Sequence, residues 1–174
     1  MKVSLSKSEI RGKVAAPPSK SYTIRGLMCA ALAKGKSELI YPLSSDDTEA
    51  AGEVLEQLGI SIHKKGDSWQ VAGGQLKKPT KGLFCHDSAA TFRFMTAICA
   101  LVPKKCQLLA GSTLSKRPVT PLLQALRQLG VNCRTEGASV IVDGGRLKGG
   151  VVELAGDISS QFVSALLLVA PLAE

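Results

Sequence analysis

Self-similarity at a period near 70 residues limits the possible folds of this 174-residue chain more than any other feature. Leu55-Glu56-Gln57-Leu58-Gly59-Ile60 returns as Leu126-Arg127-Gln128-Leu129-Gly130-Val131, an offset of 71, and Gly73-Gly74 returns as Gly144-Gly145 at the same offset. Ser21-Tyr22-Thr23-Ile24-Arg25 aligns with Ala89-Ala90-Thr91-Phe92-Arg93 at an offset of 68. A third copy opens at Ser159-Ser160-Gln161-Phe162 and carries Ser164 where the first two have arginine. Repeats of this kind bury their apolar faces against one another, so the fold must stack them.

Hydrophobic spacing gives each unit the order β-α-β-α-β-β. In the first, Val14-Ala15 closes a short strand and a helix follows over 21–34. Its Ile24, Leu27, Met28, Ala31 and Leu32 fall at i, i+3, i+4, i+7 and i+8, one helical face. Residues 37–41 read as a strand. Asp46 is placed to cap a second helix that buries Ala51, Val54, Leu55 and Leu58 and stops at Gly59. Strands over 60–64 and 68–72 flank a Lys65-Gly66-Asp67 turn. The second unit repeats the order over 83–85, 89–101, 107–110, 119–129, 131–135 and 139–142, and the third adds a strand over 151–154 and one helix.

The units therefore span 12–74 and 82–145, with the start of a third over 150–174. Residues 1–16 read as N-terminal strands that a full-length chain would place in its other domain, and 17–174 as one incomplete domain. A unit that stops after a single helix reads as the end of a fragment. The leading helices are unusually apolar: 89–101 carries one charge, Arg93, and 162–173 carries none. Helices of that kind are normally buried. The expected fold is α/β (α+β in some schemes), with parallel helices buried side by side and wrapped by mixed sheets.

Composition narrows the partners. A chain of this length with 45% hydrophobic residues buries roughly 70% of its unfolded surface, which excludes disorder. The net charge of +8 points to anionic ligands, while 4% aromatics argue against a stacking platform for single-stranded nucleic acid. Lys64-Lys65, Lys77-Lys78 and Lys104-Lys105 read as solvated loop tips. The five cysteines form no CxxC pair or metal-ligand spacing, and Cys29 and Cys99 lie in apolar helices where buried, reduced thiols are expected. The longest apolar run, 162–173, is shorter than the 20 or so residues a bilayer requires, and the N-terminus lacks a signal-peptide core. A cytoplasmic protein without membrane or nucleic-acid partners is expected.

Each buried helix opens with small hydroxyl or basic residues: Ser19-Lys20-Ser21, Asp87-Ser88 and Ser159-Ser160-Gln161. The first turn of a helix has unpaired N–H groups and a positive dipole, so these starts suit phosphate or carboxylate. Helix capping is the plain alternative for each serine, but Lys20 and Arg25 on a largely apolar helix require a further reason. Arg25 adds a planar fork suited to a carboxylate. Pro118 fits the first position of the next helix and would fix Arg117 at its entrance, although a solvated loop arginine is the alternative. His63 reads as exposed, His86 as structural and Asp46-Asp47 as caps; Gly144-Gly145 and Gly149-Gly150 read as turns, since they lack a P-loop's Gly-Lys-Ser/Thr ending.

Pro18-Ser19-Lys20-Ser21-x-x-x-Arg25, Asp87-Ser88-Ala89-Ala90-Thr91-Phe92-Arg93, Lys116-Arg117-Pro118 and Ser159-Ser160-Gln161-Phe162 occur in an order and spacing that resemble the 5-enolpyruvylshikimate-3-phosphate synthases. These are the 3-phosphoshikimate 1-carboxyvinyltransferases of aromatic amino acid and chorismate biosynthesis. The resemblance covers essentially the whole chain but less than half of a family member, whose fold is two domains of three βαβαββ units each.

It implies that Lys20, Ser21 and Arg25 bind shikimate 3-phosphate, with Arg25 on the carboxylate, and that Ser159, Ser160 and Gln161 bind it too, the serines at the phosphate. It places Lys20, Ala89, Arg117 and Gln161 around phosphoenolpyruvate, gives Lys20 a catalytic role, and leaves Arg93 to shape the pocket. It implies no metal, no organic cofactor and a monomer at full length. The family's acidic catalytic groups lie in its other half, so the chain alone is expected not to turn over.

Two positions depart from the family pattern of Asn-x-Gly-Thr. Ala89 puts a methyl where a glycine lines the phosphoenolpyruvate pocket, which implies reduced sensitivity to the larger inhibitor glyphosate. Asp87 replaces an asparagine, and the residue pattern offers no account of it. The related UDP-N-acetylglucosamine enolpyruvyltransferases have Lys-Asn in place of Lys20-Ser21 and a loop cysteine that 111–116 lacks. An RNA-binding or RNA-end-processing domain of related fold is disfavoured by the few aromatics.

Overall fold

Two α/β units and the first helix of a third make up the computed structural model, which describes residues 2–9 and 11–174. Met1 and Ile10, within the expected N-terminal strands, lie outside the described residues. The first unit contains α1 (Lys20–Leu32), β1 (Gly35–Ile40), α2 (Asp46–Gln57), β2 (Ser61–Lys65) and β3 (Ser68–Gly73). The second contains β4 (Leu83–Phe84), α3 (Ala89–Ile98, prolonged by a 3-10 turn over Cys99–Leu101), β5 (Lys105–Leu109), α4 (Thr120–Gln128), β6 (Asn132–Glu136) and β7 (Ser139–Asp143). The third contributes α5 (Ser160–Val169) and a 3-10 turn over Ala170–Leu172.

The sheets show how far the units are equivalent. The second has the order β4-β5-β7-β6, with β4 parallel to β5 and the other pairs antiparallel. The first, β1-β3-β2, is wholly antiparallel because its leading strand is not formed. Residues 2–9 and 11–19 carry no strand, and Val14 is 95% exposed. A two-residue strand exists only on a partner's edge, and among the described residues nothing pairs with the outer edge of β1. The strand expected over 151–154 is likewise absent. The Gln128 side chain holds that segment instead, donating to the Glu153 carbonyl at 3.5 Å and accepting from its N–H at 3.4 Å.

The repeated Gly-Gly pairs are more than turns. A Cβ on Gly73 would overlap the carbonyl oxygens of Ala30 and Ala33, and one on Gly144 those of Cys99 and Val102. The first glycine thus lets the end of each sheet press against the C-terminal end of a buried helix. The second, at φ 138° in Gly74 and 93° in Gly145, donates to Ala31 and Ala100 at 3.1 and 2.7 Å.

Leu27 and Met28 of α1, Leu55 of α2, Phe94, Met95 and Ile98 of α3, Leu122 of α4 and Phe162 of α5 are fully enclosed in one core. Burial all round holds for α3, where every residue from Thr91 to Ile98 is buried. It does not hold for α5: Phe162, Ala165 and Val169 face the core, while Leu167 is 66% exposed. Cys29 is exposed as well, because its side of α1 and Leu167 of α5 line one open groove; the other four cysteines are buried. No helix among the described residues is long and apolar enough to cross a membrane.

The Arg25 guanidinium lies 5.2 Å from the centroid of the Phe94 ring and 3.5 Å from Ser164 Oγ. All three residues stand fifth or sixth in their helices, so α1, α3 and α5 run parallel with their N-termini at one end. Their other ends meet where Leu32, Leu101 and Leu172 line a common cavity.

Candidate functional site

The residues singled out by sequence gather at the N-terminal ends of the parallel helices. Ser19 caps α1 by accepting the Tyr22 N–H at 3.3 Å, and its carbonyl accepts the Thr23 hydroxyl at 3.0 Å. This leaves Lys20 and Ser21 on the exposed first turn. Lys20 is not free: its ammonium pairs with the Asp47 carboxylate. Ser45, rather than Asp46, caps α2, through reciprocal bonds with Thr48. That places Asp46 and Asp47 in the first helical turn, where their charge meets the positive end of the helix. A hydrogen-bonded chain continues from Ser88 Oγ to Thr91 Oγ1 at 2.8 Å and on to the Asp47 carbonyl at 3.3 Å, tying the start of α2 to that of α3.

Arg25 is half-buried, donates to the Ser21 carbonyl at 3.2 Å and reaches α5 through Ser164. Arg93 makes the wider connection. One guanidinium nitrogen donates to Gln161 Oε1 at 2.7 Å and to Ser159 Oγ at 3.2 Å; the other donates to the Pro118 carbonyl at 3.3 Å. The same group lies 4.9 Å from the Phe162 ring centroid. Burial first, and then the Arg117 charge, lower the Arg93 pKa, but a guanidinium remains protonated at any working pH.

This network fixes what its partners can offer. The Ser159 oxygen accepts from Arg93 and from the Gln161 N–H at 3.3 Å, so its own O–H is left to donate. Because the Gln161 oxygen is turned to Arg93, its amide NH2 is likewise left as a donor. Ser160 is exposed beside them, and Ala89 is the half-buried first residue of α3.

Arg117 lies in extended backbone (φ −88°, ψ 146°) after a 3-10 turn over Leu114–Lys116. The helix beyond starts at Thr120, with Val119 as its cap and Pro121 in its first turn. Pro118 therefore precedes the helix and does not occupy its first position, which is held by Thr120, with Pro121 second. The Arg117 side chain is exposed and has no hydrogen-bond partner among the described residues. Asp87, without an account in the sequence, accepts three bonds from the loop ahead of Arg117. The Thr113 hydroxyl, followed by the Leu114 N–H, holds its carboxyl below the usual range. His86, at φ 50°, lies against Phe84 and 3.3 Å from Glu53, and His63 is exposed on β2.

No single enclosed cavity among the described residues holds all of these groups. Lys20 shares a cleft of about 680 Å³ with Asp47, Glu53, His86 and Asp87. Arg25 and Ser164 line a separate, largely apolar groove of about 460 Å³. The arrangement is one open wall of cations, hydroxyls and an amide, flanked at Lys20 by the carboxylates of Asp46, Asp47, Glu49, Glu53 and Asp87. Such a set of cations and donors suits the binding of oxyanions. Sequence reasoning missed the Lys20–Asp47 pair and the reach of Arg93, although the Asp46-Asp47 doublet and the lone charge on α3 mark both. No group of three or more His, Cys, Asp or Glu side chains among the described residues is placed to hold a metal ion.

Comparison with known proteins gives matches along almost the whole chain. The family model of EPSP synthase (3-phosphoshikimate 1-carboxyvinyltransferase) matches residues 5–174. A 3-phosphoshikimate 1-carboxyvinyltransferase of Dehalococcoides mccartyi strain 195 is 52% identical over 98% of the chain, and that of Methanothermobacter thermautotrophicus is 41% identical over 95%. The chain spans 41% and 40% of their lengths. A solved structure of EPSP synthase from Acinetobacter baumannii superimposes with a TM-score of 0.85 at 27% identity, covering 94% of this chain and 38% of that one.

Proposed function

Because the chain belongs to the EPSP synthase (3-phosphoshikimate 1-carboxyvinyltransferase) family, we propose that it supplies the shikimate 3-phosphate wall of an enolpyruvyl-transfer site. In that reaction the 5-hydroxyl of shikimate 3-phosphate gives up its proton and its oxygen bonds to C2 of phosphoenolpyruvate while a proton adds to C3. The resulting adduct loses phosphate from C2 and a proton from C3, which restores the C2–C3 double bond and leaves an enol ether.

Ser21 and Arg25 bind shikimate 3-phosphate, with the Arg25 fork on its carboxylate. Ser159 and Ser160 donate to its phosphate, and the Gln161 NH2 and Lys20 reach both substrates. Arg117 carries the charge for phosphoenolpyruvate, and the Ala89 methyl narrows that side of the site, which disfavours the larger inhibitor glyphosate. Lys20 neutralises the departing phosphate and takes part in proton transfer. Its pairing with Asp47 means that an incoming anion must compete for the ammonium or share it.

The observation that carries this reading is the Arg93 network, which engages the Ser159 and Gln161 oxygens and leaves the Ser159 O–H and the Gln161 NH2 as donors without a partner among the described residues. A site of donors recognises anions that bring only acceptors. Phosphate release is the test. The product of the whole gene is expected to release phosphate only when both substrates are present, and the 174-residue chain by itself to release none. Failure of the whole gene product to do so overturns the assignment.

A further inference from the structure

Asp87 has no part in the substrate roles above, yet it makes more hydrogen bonds to the Arg117 loop than any other side chain described. We propose that Asp87 is a positioning residue that latches loop 111–117, so that the Arg117 guanidinium stands where phosphoenolpyruvate binds; this rests on the functional reading just given.

One oxygen of Asp87 accepts the Thr113 N–H at 3.0 Å, the Thr113 hydroxyl at 2.7 Å and the Leu114 N–H at 2.9 Å. Those N–H groups open the 3-10 turn over Leu114–Lys116 and have no partner within it. The turn closes when the Arg117 N–H donates to the Leu114 carbonyl at 2.9 Å. The Arg117 backbone is thus two bonds removed from the Asp87 carboxylate.

The loop also lies too close to residues 86–87 for any larger residue at its start. Gly111 donates to the His86 carbonyl at 2.6 Å, and a Cβ there would stand 2.6 Å from the Asp87 oxygen. The left-handed backbone of His86 turns the chain so that Asp87 meets the loop, a conformation seldom kept by a non-glycine residue without cause. Leu114 anchors the turn from below at 3% exposure. On the far side of Arg117, Arg93 holds the Pro118 carbonyl. The start of α3 therefore grips the backbone on both sides of Arg117 while leaving its side chain unbonded. A scaffold so arranged presents the guanidinium without a hydrogen bond or ion pair, although its charge is felt by the Asp87 carboxylate. The carboxylate serves better than an amide because its charge strengthens all three bonds.

Steady-state kinetics of the whole gene product test the latch. Turnover by the wild type establishes the functional reading, and its absence would defeat that reading by itself. Given turnover, Asp87→Ala is expected to raise the KM for phosphoenolpyruvate by about tenfold while the KM for shikimate 3-phosphate moves less than about twofold. Asp87→Asn keeps the acceptor oxygen and is expected to stay within about threefold of wild type. In an Arg117→Lys background the effect of Asp87→Ala should fall below about threefold, because the two changes act on one interaction. Thr113→Val removes a single bond from the opposite side with little change of shape, and should raise the phosphoenolpyruvate KM by about threefold even if Asp87→Ala fails to fold. Equal rises in both KM values, or an unchanged phosphoenolpyruvate KM in Asp87→Ala or Thr113→Val, would overturn the proposal.

Discussion

Replacing Arg93 by methionine should destabilise the fold by about 2 kcal/mol, and the structure supplies the terms. The 2.7 Å bond to Gln161 has a charged donor and contributes about 1.5–3 kcal/mol, and the bonds of 3.2 and 3.3 Å to Ser159 and Pro118 about 0.5–1 kcal/mol each. The Phe162 ring beneath the guanidinium adds about 1 kcal/mol. Against this gross total of roughly 3.5–6 kcal/mol, removing a charge from a site only 8% exposed recovers several kcal/mol of desolvation. Methionine also refills most of the side-chain stem. A net 2 kcal/mol lowers the melting temperature of a chain this size by roughly 4–8 °C.

The assay is thermal unfolding of the 174-residue chain, followed by circular dichroism and by the fluorescence of its single tryptophan, Trp69, which is buried in β3. Arg117→Met is the control: its exposed and unbonded side chain should change stability by less than about 0.5 kcal/mol. Equal shifts in the two variants, or none in Arg93→Met, would refute the view that Arg93 clamps three segments together.

Gly144→Ala should cost about 3 kcal/mol in urea unfolding, since its methyl overlaps the Cys99 and Val102 carbonyls, whereas Gly137→Ala meets no atom and should cost only about 1 kcal/mol for its left-handed backbone. In the native chain one thiol, Cys29, is expected to react rapidly with an aromatic disulfide reagent. The other four are buried and should react only on unfolding; burial also pushes the Cys85 pKa up to about 12 in the folded chain. The lowered Asp87 pKa gives a stabilising contribution that is complete above the ordinary aspartate value of about 3.9 and is lost as pH falls through the lower folded value. A carbon-13 titration should place the Asp87 midpoint below that of a free aspartate, and Thr113→Val should move it upward; an unmoved midpoint would deny the hydroxyl its part.

What the sequence made legible was local. The positions of α1, α2, α3 and α4 follow from apolar spacing, the first hairpin from its turn at Gly66 and the second from its repetition of the first. Strands at Val14-Ala15 and 151–154 failed because pairing is a property of two segments, and local pattern carries only one of them. Pro118 and Pro121 both suit a helix entrance, and only the geometry decides between them. The basic and hydroxyl residues of the site were visible as outliers on apolar helices. Their ordering was not: Arg93 meets partners 66 and 68 residues away, and Asp87 meets a loop 26 residues away. Even Cys29, correctly placed in an apolar helix, faces the groove beside α5 and not the core.

Calorimetry of the 174-residue chain with shikimate 3-phosphate tests most directly whether the gathered helix starts form one substrate wall. Binding is expected to be weak, to decline with added salt, and to fall at least tenfold in Arg25→Ala, while shikimate without its phosphate binds more weakly than shikimate 3-phosphate. Equal heats for the phosphorylated and unphosphorylated acids, or an affinity indifferent to Arg25, would contradict the account.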